Sequence, residues 1–334
     1  MPVRLYVPER ITATNASAFC LRLAETALEP RLSIDFQQIK FVVPQGTMCL
    51  FVGIKRVLDQ RVSLCLPKLE IINSTNPSDA FRYLVYMGFF KRLADVDIDN
   101  VAPQLSTDRT YIRISPIVID RSGANFMFQE RLDEATSAHA TFLLKDKEPE
   151  HPAVMAVGWC LREAIRNVFE HAGTDTAYVT GQSWKSGRVE LAIGDAGMGI
   201  PASLAPAHTP RDASHALSLA VQPGITDYTG PDTDSKWQNS GFGLYMLRRI
   251  AQDYGSLTVV SGGAFLKTAT GEATPLVKGS GSPLGTTIAL SLEIPDDIYF
   301  ANVLDQYATT GEQETLGIVG ARRRASVGSR SIWS

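Results

Sequence analysis

The sequence lacks the residue patterns that mark several large classes of protein. Its four cysteines, Cys20, Cys49, Cys65 and Cys160, form no Cys-x-x-Cys motif and no Cys/His grouping, which disfavours both a disulfide scaffold and a zinc site. The formal net charge is −3, so no general basic surface indicates a nucleic-acid partner. The Gly-x₄-Gly-Lys-Ser/Thr motif is also missing, which excludes a P-loop nucleotide site.

Long apolar runs are missing as well. The most apolar stretch, residues 41–54, is too short to cross a bilayer and contains Pro44, Gln45 and Gly46. The first residues show no signal-peptide pattern. We therefore expect a cytoplasmic protein with no membrane partner, and the apolar fraction of 44% allows it a sizeable core.

Strands alternate with helices along the first part of the chain. Apolar patterns predict three strands, over residues 3–7, 32–36 and 62–66, and three helices, over residues 14–28, 47–58 and 80–90. Asn15 or Ser17 is the expected cap of the first helix, and Gly88 is expected to end the third. This alternation predicts an α/β layer fold for residues 1–95.

A polar, Asp-rich segment at residues 96–109 is the predicted linker to a second α/β domain, residues 110–300. That domain is expected to contain a strand at 111–119 and helices at 124–138 and 153–172, followed by a strand-rich region with glycine loops. Residues 301–334 are predicted to form a C-terminal tail with a disordered end, which includes Arg322, Arg323 and Arg324.

Four short motifs of the second domain carry chemistry, and the first lies on its long helix. Glu163 and Asn167 are four residues apart, so they share one helix face, while Leu161, Ile165 and Val168 form an apolar stripe. A carboxylate beside a carboxamide suits a site that orients water and ligates Mg²⁺. Taken alone, the pair is more often the polar face of a surface helix.

The second motif is a strand that ends at Asp195 and is followed by Gly197 and Gly199. An aspartate at a strand end can accept a hydrogen bond from an exocyclic amine in a buried slot. Glycines leave space for the backbone to approach a ligand. An ordinary Asp-Gly turn is the alternative explanation.

The third and fourth motifs are a glycine loop and a late strand. Gly241 and Gly243 open a helix, so free N–H groups and the helix dipole can face an anion. The strand over residues 285–292 is entered through Gly285 and carries two threonines. A simple loop-to-helix turn and threonines that merely favour β-structure explain each motif separately.

Together the four motifs resemble, in order and spacing, the N, G1, G2 and final-strand motifs of the GHKL ATPases. That superfamily includes gyrase, sensor histidine kinases and anti-sigma-factor serine kinases. The Arg-Glu-Ala-x-x-Asn-x-x-x-His-Ala pattern that begins at Arg162 is most similar to the anti-sigma serine kinase branch. The resemblance implies a Bergerat-type α/β sandwich that binds ATP with Mg²⁺.

The resemblance also implies a role for each motif residue. Asn167 would ligate Mg²⁺ and Glu163 would be the general base. Asp195 would accept from the adenine amine, aided by Thr287 through water.

The glycines of the motifs would border the nucleotide. Gly197 and Gly199 would shape the adenine slot. Backbone N–H groups of the loop that contains Ser240, Gly241, Gly243 and Leu244 would reach the phosphates. Residues 202–238 would be the ATP lid, in which residues 213–221 have the spacing of one short helix.

The N-terminal domain resembles a STAS domain, the fold of anti-sigma antagonists, over residues 34–46 and 86–90. That family has Asp-Ser-Ser-Gly where this chain has Val43-Pro44-Gln45-Gly46, so the phosphorylatable serine is missing. The resemblance implies a fixed docking surface, with Thr47 as the one nearby hydroxyl. A generic small α/β domain is the alternative.

Three functions remain open on this basis. The protein is a serine/threonine kinase acting in trans, a slow ATPase switch, or a catalytically inactive docking protein gated by nucleotide. Histidine autophosphorylation is disfavoured, because His139 and His151 flank a broken, charged segment instead of a long helical hairpin. We rank first an ATP-dependent switch with kinase or hydrolase activity. Its partners are expected to be proteins, bound through the STAS-like domain and the lid, and homodimerisation stays open.

Overall fold

The computed structural model describes residues 2–72, 78–94, 109–118, 125–228, 239–272, 275–279 and 285–330. The strands of these residues are β1 (Val3–Tyr6), β2 (Arg10–Ile11), β3 (Leu32–Asp35), β4 (Phe41–Val42), β5 (Glu70–Ile72), β6 (Arg109–Val118), β7 (Thr176–Trp184), β8 (Val189–Asp195), β9 (Gly255–Ser261), β10 (Ala264–Ala269), β11 (Leu276–Gly279) and β12 (Thr286–Leu292). The helices are α1 (Ala13–Glu25), α2 (Pro44–Ser63), α3 (Asp79–Tyr86), α4 (Phe89–Ala94), α5 (Asn125–Leu143), α6 (Pro152–His171), α7 (Ile200–His208), α8 (Ala213–Ala220), α9 (Gly243–Tyr254), α10 (Phe300–Glu314) and α11 (Val327–Arg330), with a 3₁₀ turn at Thr315–Gly317.

A seven-stranded sheet in the order β11-β10-β9-β12-β8-β7-β6 forms the centre of the molecule, and every neighbouring pair in it is antiparallel. One face of this sheet is covered by the long helix α6 together with α5, α8, α9 and α10. Trp159 of α6 is fully buried in this layer. The predicted α/β fold, with a sheet covered by helices, is confirmed.

The other face of the central sheet is covered by the N-terminal part of the chain. Its parallel strands β1-β3-β5 carry α1 and α2, and α2 lies directly against β7, β8 and β12. Phe51 of α2 packs edge-on against Tyr178 of β7, with ring centroids 4.8 Å apart. The central sheet is therefore buried on both faces, and none of the described helices is long and apolar enough to cross a membrane.

Helix α2 is longer than the sequence predicts, and the strand expected at residues 62–66 is wrong. The guanidinium of Arg61 donates to the carbonyl oxygens of Ala27, Glu29 and Pro67 at 2.6 to 3.0 Å, which holds the last turn of the helix in place. The strand forms later, as β5. The first helix is capped by Thr12 and not by the residues expected from the sequence, Asn15 or Ser17.

The C-terminal residues are part of the core, which corrects the prediction of a separate tail at 301–334. Phe300, Leu304 and Tyr307 of α10 are buried against the same layer as α6. Further on, the Arg322 N–H donates to the Gly224 carbonyl at 2.8 Å. Residues 331–334 lie outside the described residues, as do residues 95–108, so the domain boundary stays a prediction.

Candidate nucleotide-binding site

A cleft opens on the helix-covered side of the sheet, and its empty volume is about 670 Å³ when the open solvent at its mouth is included. It lies between the end of α6, the end of β8, helices α7 and α8, and the loop that precedes α9. Its walls combine apolar side chains with a few polar groups. They are Asn167, Val168, His171, Ala172, Asp195, Gly199, Ile200, Ser203, Leu204, Ala220, Ile225, Thr226, Asp227, Asn239, Gly241, Gly243, Leu244, Thr286 and Ile288.

Asp195 is the polar group at the sheet end of the cleft. Its side chain is 2% exposed, and Oδ1 accepts a hydrogen bond from the Gly197 N–H at 2.8 Å. Burial raises the pKa of this carboxyl to about 7, although the N–H groups of Gly197 and Thr286 and the charge of Arg56 oppose the rise. A buried carboxyl with only part of its hydrogen-bonding capacity used suits recognition of a polar ligand group.

The loop before α9 forms the opposite end of the cleft. Helix α9 begins at Gly243 without a side-chain cap, so its first N–H groups and the helix dipole can act on an anion. The Gly241 N–H is taken by Asn239 Oδ1 at 3.1 Å. A Cβ at Gly243 would lie 2.9 Å from Glu163 Oε2, so the missing side chain allows the loop to lie directly over α6.

Glu163 is below this loop and does not line the cleft. Its side chain is fully buried, with Oε2 2.8 Å from Arg166 Nη2 and Oε1 3.6 Å from Arg162 Nη2. Two arginines on its own helix therefore neutralise the carboxylate. A general base needs contact with the proton that it removes, and Glu163 lacks this contact in the present conformation.

Asn167 lies one turn further along α6 and does line the cleft. Its Nδ2 is buried and has no hydrogen-bond partner among the described residues. Among the residues that the structure describes, no group of three or more His, Cys, Asp or Glu side chains could hold a metal ion. Mg²⁺ at this place would take the Asn167 carboxamide oxygen together with phosphate and water, a ligand set that fits its usual chemistry.

The structure brings together most of the predicted site residues. Six of them line the cleft: Asn167, Asp195, Gly199, Gly241, Gly243 and Leu244. Glu163, Gly197, Ser240 and Thr287 lie behind its walls. Ser240 is buried, and its hydroxyl has no hydrogen-bond partner among the described residues.

The expectation for Thr287 is wrong by one residue. Thr286 pairs with Asp195 across the sheet and lines the cleft, whereas Thr287 pairs with Gly194 and faces the opposite side. There its hydroxyl hydrogen-bonds the side chain of Cys49 on α2. Successive residues of a strand point to opposite faces, so alternation from Asp195 could have identified Thr286.

A row of polar side-chain contacts at the cleft mouth was missed at the sequence level. Asp227 Oδ2 accepts from the Ser203 hydroxyl at 2.8 Å, and its Oδ1 lies 2.9 Å from His171 Nδ1. The other ring nitrogen of His171 contacts the Asn239 carboxamide. Burial alone raises the pKa of Asp227, but the hydrogen bonds and charge of its partners outweigh burial and hold the pKa below its usual value.

These side-chain contacts connect the predicted lid to the end of the cleft formed by the loop before α9. The lid contains α8, as predicted, and also the greater part of α7, which the sequence analysis did not predict. Leu204, Ala220 and Ile225 of the lid form a small apolar cluster, against which Ile318 and Ala321 pack. Residues 229–238 of the predicted lid lie outside the described residues.

The segment from residue 155 to residue 297 matches a protein-family model described as histidine kinase-, DNA gyrase B-, and HSP90-like ATPase. This match runs from α6 to just beyond β12 and includes all four motifs. No curated protein sequence matches the chain. Residues 155–297 are therefore a GHKL-type ATPase domain, and a domain of this class implies that the cleft binds ATP.

The register of β12 gives the first prediction. Thr286→Val is expected to weaken Mg-ADP binding about 2- to 10-fold, because it removes a hydroxyl from the cleft wall beside Asp195. Thr287→Val is the matched control, since its hydroxyl faces α2, and it should leave the affinity unchanged. Isothermal titration calorimetry measures both, and a larger effect at Thr287 would contradict this assignment of faces.

The buried carboxyl gives the second prediction. Asp195→Asn places a donor where the adenine amine also donates, so we expect ADP binding to lose about 1–3 kcal/mol and the preference over GDP to disappear. Calorimetry with both nucleotides measures the loss. An unchanged ratio of the two affinities would remove Asp195 from base recognition.

The same variant has a second signature in its stability. The pKa of Asp195 is about 7 in the folded state, above its ordinary 3.8. The folded state thus holds a proton that the unfolded state has released, and wild-type stability falls as pH rises from about 4 to about 7. The asparagine variant has no carboxyl to titrate, so its stability does not fall in this way. In urea unfolding, its free energy of unfolding should rise relative to that of wild type between pH 5 and pH 8.

Proposed function

We propose that this protein is an ATP-dependent switch, which binds ATP with Mg²⁺ in the cleft and thereby changes the surface that it offers to a protein partner. The observation that supports this most directly is the series of side-chain contacts that runs from the loop before α9 to the lid. Asn239 Oδ1 accepts the Gly241 N–H, the kind of group that a phosphate oxygen needs at a helix start. A phosphate oxygen and Asn239 Oδ1 would therefore compete for the Gly241 N–H.

The competition reaches the lid because Asn239 is not isolated. Its carboxamide contacts His171, which contacts Asp227, which holds the Ser203 hydroxyl of α7. A phosphate that displaces Asn239 removes one support of this arrangement. A third phosphate extends the nucleotide further along the cleft than two do, so ATP and ADP are expected to leave the lid in different states.

Phosphoryl transfer is the catalytic part of the proposal, with Glu163 as general base and either water or a partner's serine or threonine as acceptor. The ion pairs of Glu163 with Arg166 and Arg162 favour a second candidate, a docking protein that binds nucleotide without turnover. Catalysis requires Glu163 to leave Arg166 and reach the cleft. The second candidate requires no such change.

The proposed partner is a protein, bound through the N-terminal half and the lid, as the resemblance to STAS domains and anti-sigma kinases suggests. Pro44 and Gln45 occupy the first turn of α2, and neither has a hydroxyl. Thr47 is fully buried, and its hydroxyl donates to the Val43 carbonyl at 3.0 Å. These features support an N-terminal half that is not switched by phosphorylation at this segment.

The lid mechanism is tested by amide hydrogen exchange. We expect exchange across residues 202–228 to be slower with a non-hydrolysable Mg-ATP analogue than with Mg-ADP, because the third phosphate changes the network. Asp227→Asn should abolish the difference between the nucleotides, since it weakens the contact with His171.

Asp212→Asn is the control for this experiment. It makes the same change in the same segment, and asparagine keeps the cap of α8. Equal exchange in the apo, ADP and ATP-analogue states would mean that the segment is rigid and that the switch has no moving part.

Turnover separates the two candidate functions. Glu163→Gln should retain Mg-ATP affinity and lower phosphoryl transfer about 10²–10⁴-fold, the usual contribution of a general base. Asn167→Ala should instead weaken the Mg²⁺-dependent part of binding. Calorimetry and phosphate release measure the two effects. Equal, measurable turnover by wild type and Glu163→Gln would remove Glu163 as the base, and no turnover by wild type with any partner would assign the protein to the docking class.

A further inference from the structure

Helix α2 of the N-terminal half lies directly behind the strand that ends at the adenine end of the cleft. It packs across β8 and β12, the two strands that present Asp195 and Thr286 to the cleft. Phe51 of α2 and Ala192 of β8 are both fully buried in the core that the two halves share. The wall of the cleft therefore has a second layer, contributed by the N-terminal half.

The approach is closest one residue before Asp195. A Cβ at Gly194 would lie 2.5 Å from Val52 Cγ2 and 2.9 Å from Met48 Cγ, both on α2. Any larger residue would require these two side chains to move. The glycine thus allows direct contact between α2 and the end of β8, where Asp195 begins the loop.

One residue after Asp195, α2 makes a polar contact with the loop. Arg56 Nη1 donates to the Ala196 carbonyl at 3.0 Å, across 140 residues of sequence. Strand β8 ends at Asp195, so Ala196 is the first residue beyond the sheet ladder. The Arg56 contact holds this turn together with the Gly197 N–H bond to Asp195 and the Met198 N–H bond to the Ala172 carbonyl at 2.9 Å.

Besides its hydrogen bond, the charge of Arg56 affects the Asp195 carboxyl. Asp195 is buried, and its desolvation disfavours the ionised carboxylate that accepts from an amine. The guanidinium favours that ionised form, which makes the carboxyl a better acceptor. Arg56 therefore affects both the position and the charge of the group that faces the base.

We propose that Arg56 is a positioning residue for adenine, so that the N-terminal half supplies part of the nucleotide site of the ATPase domain. This inference rests on the proposed function, namely adenine-nucleotide binding in the cleft. Arg56 does not touch the nucleotide. It acts through the Ala196 carbonyl on the turn that carries Asp195.

The test compares Mg-ADP with Mg-GDP by calorimetry on the full chain, with Arg56→Ala, Arg56→Lys and Lys55→Ala. Guanine has a carbonyl where adenine has its amine, so placement of Asp195 matters for ADP only. Arg56→Ala should lose about tenfold in ADP affinity and the same factor in ADP-over-GDP preference. Arg56→Lys should retain most of the ADP affinity and most of the preference for ADP over GDP, because lysine keeps a positively charged donor.

Lys55→Ala is the matched control, since Lys55 is the preceding residue of α2 and pairs with Asp59. An Arg56→Ala protein indistinguishable from Lys55→Ala would overturn the inference. Equal losses for ADP and GDP, together with a lower melting temperature without nucleotide, would also overturn it, because they indicate a general structural role. If wild type binds neither nucleotide, the proposed function itself fails and this inference fails with it.

A second pair of variants tests the contact without touching Arg56. Gly194→Ala should lower ADP affinity more than GDP affinity, because the new methyl group displaces α2. Val52→Ala removes the side chain nearest to that methyl group, so the double variant should recover part of the ADP preference. Additive losses in the double variant, with no recovery, would contradict a link from α2 to adenine.

Discussion

The burial of the Asp195 carboxyl at the end of β8 is the constraint on which the site depends. A buried charge is costly unless it is paired, and here two backbone N–H groups and a distant guanidinium offset that cost only in part. The cost persists because β8 lies in the middle of a sheet covered on both faces. A ligand that donates a hydrogen bond to this carboxyl adds the missing partner, so the group destabilises the empty protein and favours the occupied one.

At the other end of the cleft, beside the loop before α9, two groups already have internal partners. Asn239 occupies the Gly241 N–H, and arginines neutralise Glu163. A ligand that takes the Gly241 N–H must therefore exchange an existing interaction, whereas a ligand that donates to Asp195 adds one. Exchange of hydrogen bonds changes little net free energy, but it changes which side chains are held.

Local patterns in the sequence predicted the central parts of this arrangement. The strand that ends at Asp195, the helix that carries Asn167 and the loop that opens α9 all depend on residues close in sequence. The error at Thr287 was avoidable, because strand alternation from Asp195 selects Thr286 instead. The extension of α2 was not predictable in this way, since Arg61 is held by carbonyls from distant residues. For the same reason no local pattern indicates that Arg56, Asp227 or the C-terminal helix contributes to the domain.

The path of α2 has a thermodynamic consequence for the two halves of the chain. The helix begins at Pro44, and Arg56 follows 12 residues later, about 18 Å along its axis. A helix buried between α1 and the central sheet transmits a displacement of its first turn, because close-packed interiors have little free space. If a partner bound at that first turn changes the affinity for nucleotide, the nucleotide must change the affinity for the partner by the same factor. The contact of Val52 and Met48 with the strand at Gly194 is the place where such coupling would pass from helix to cleft.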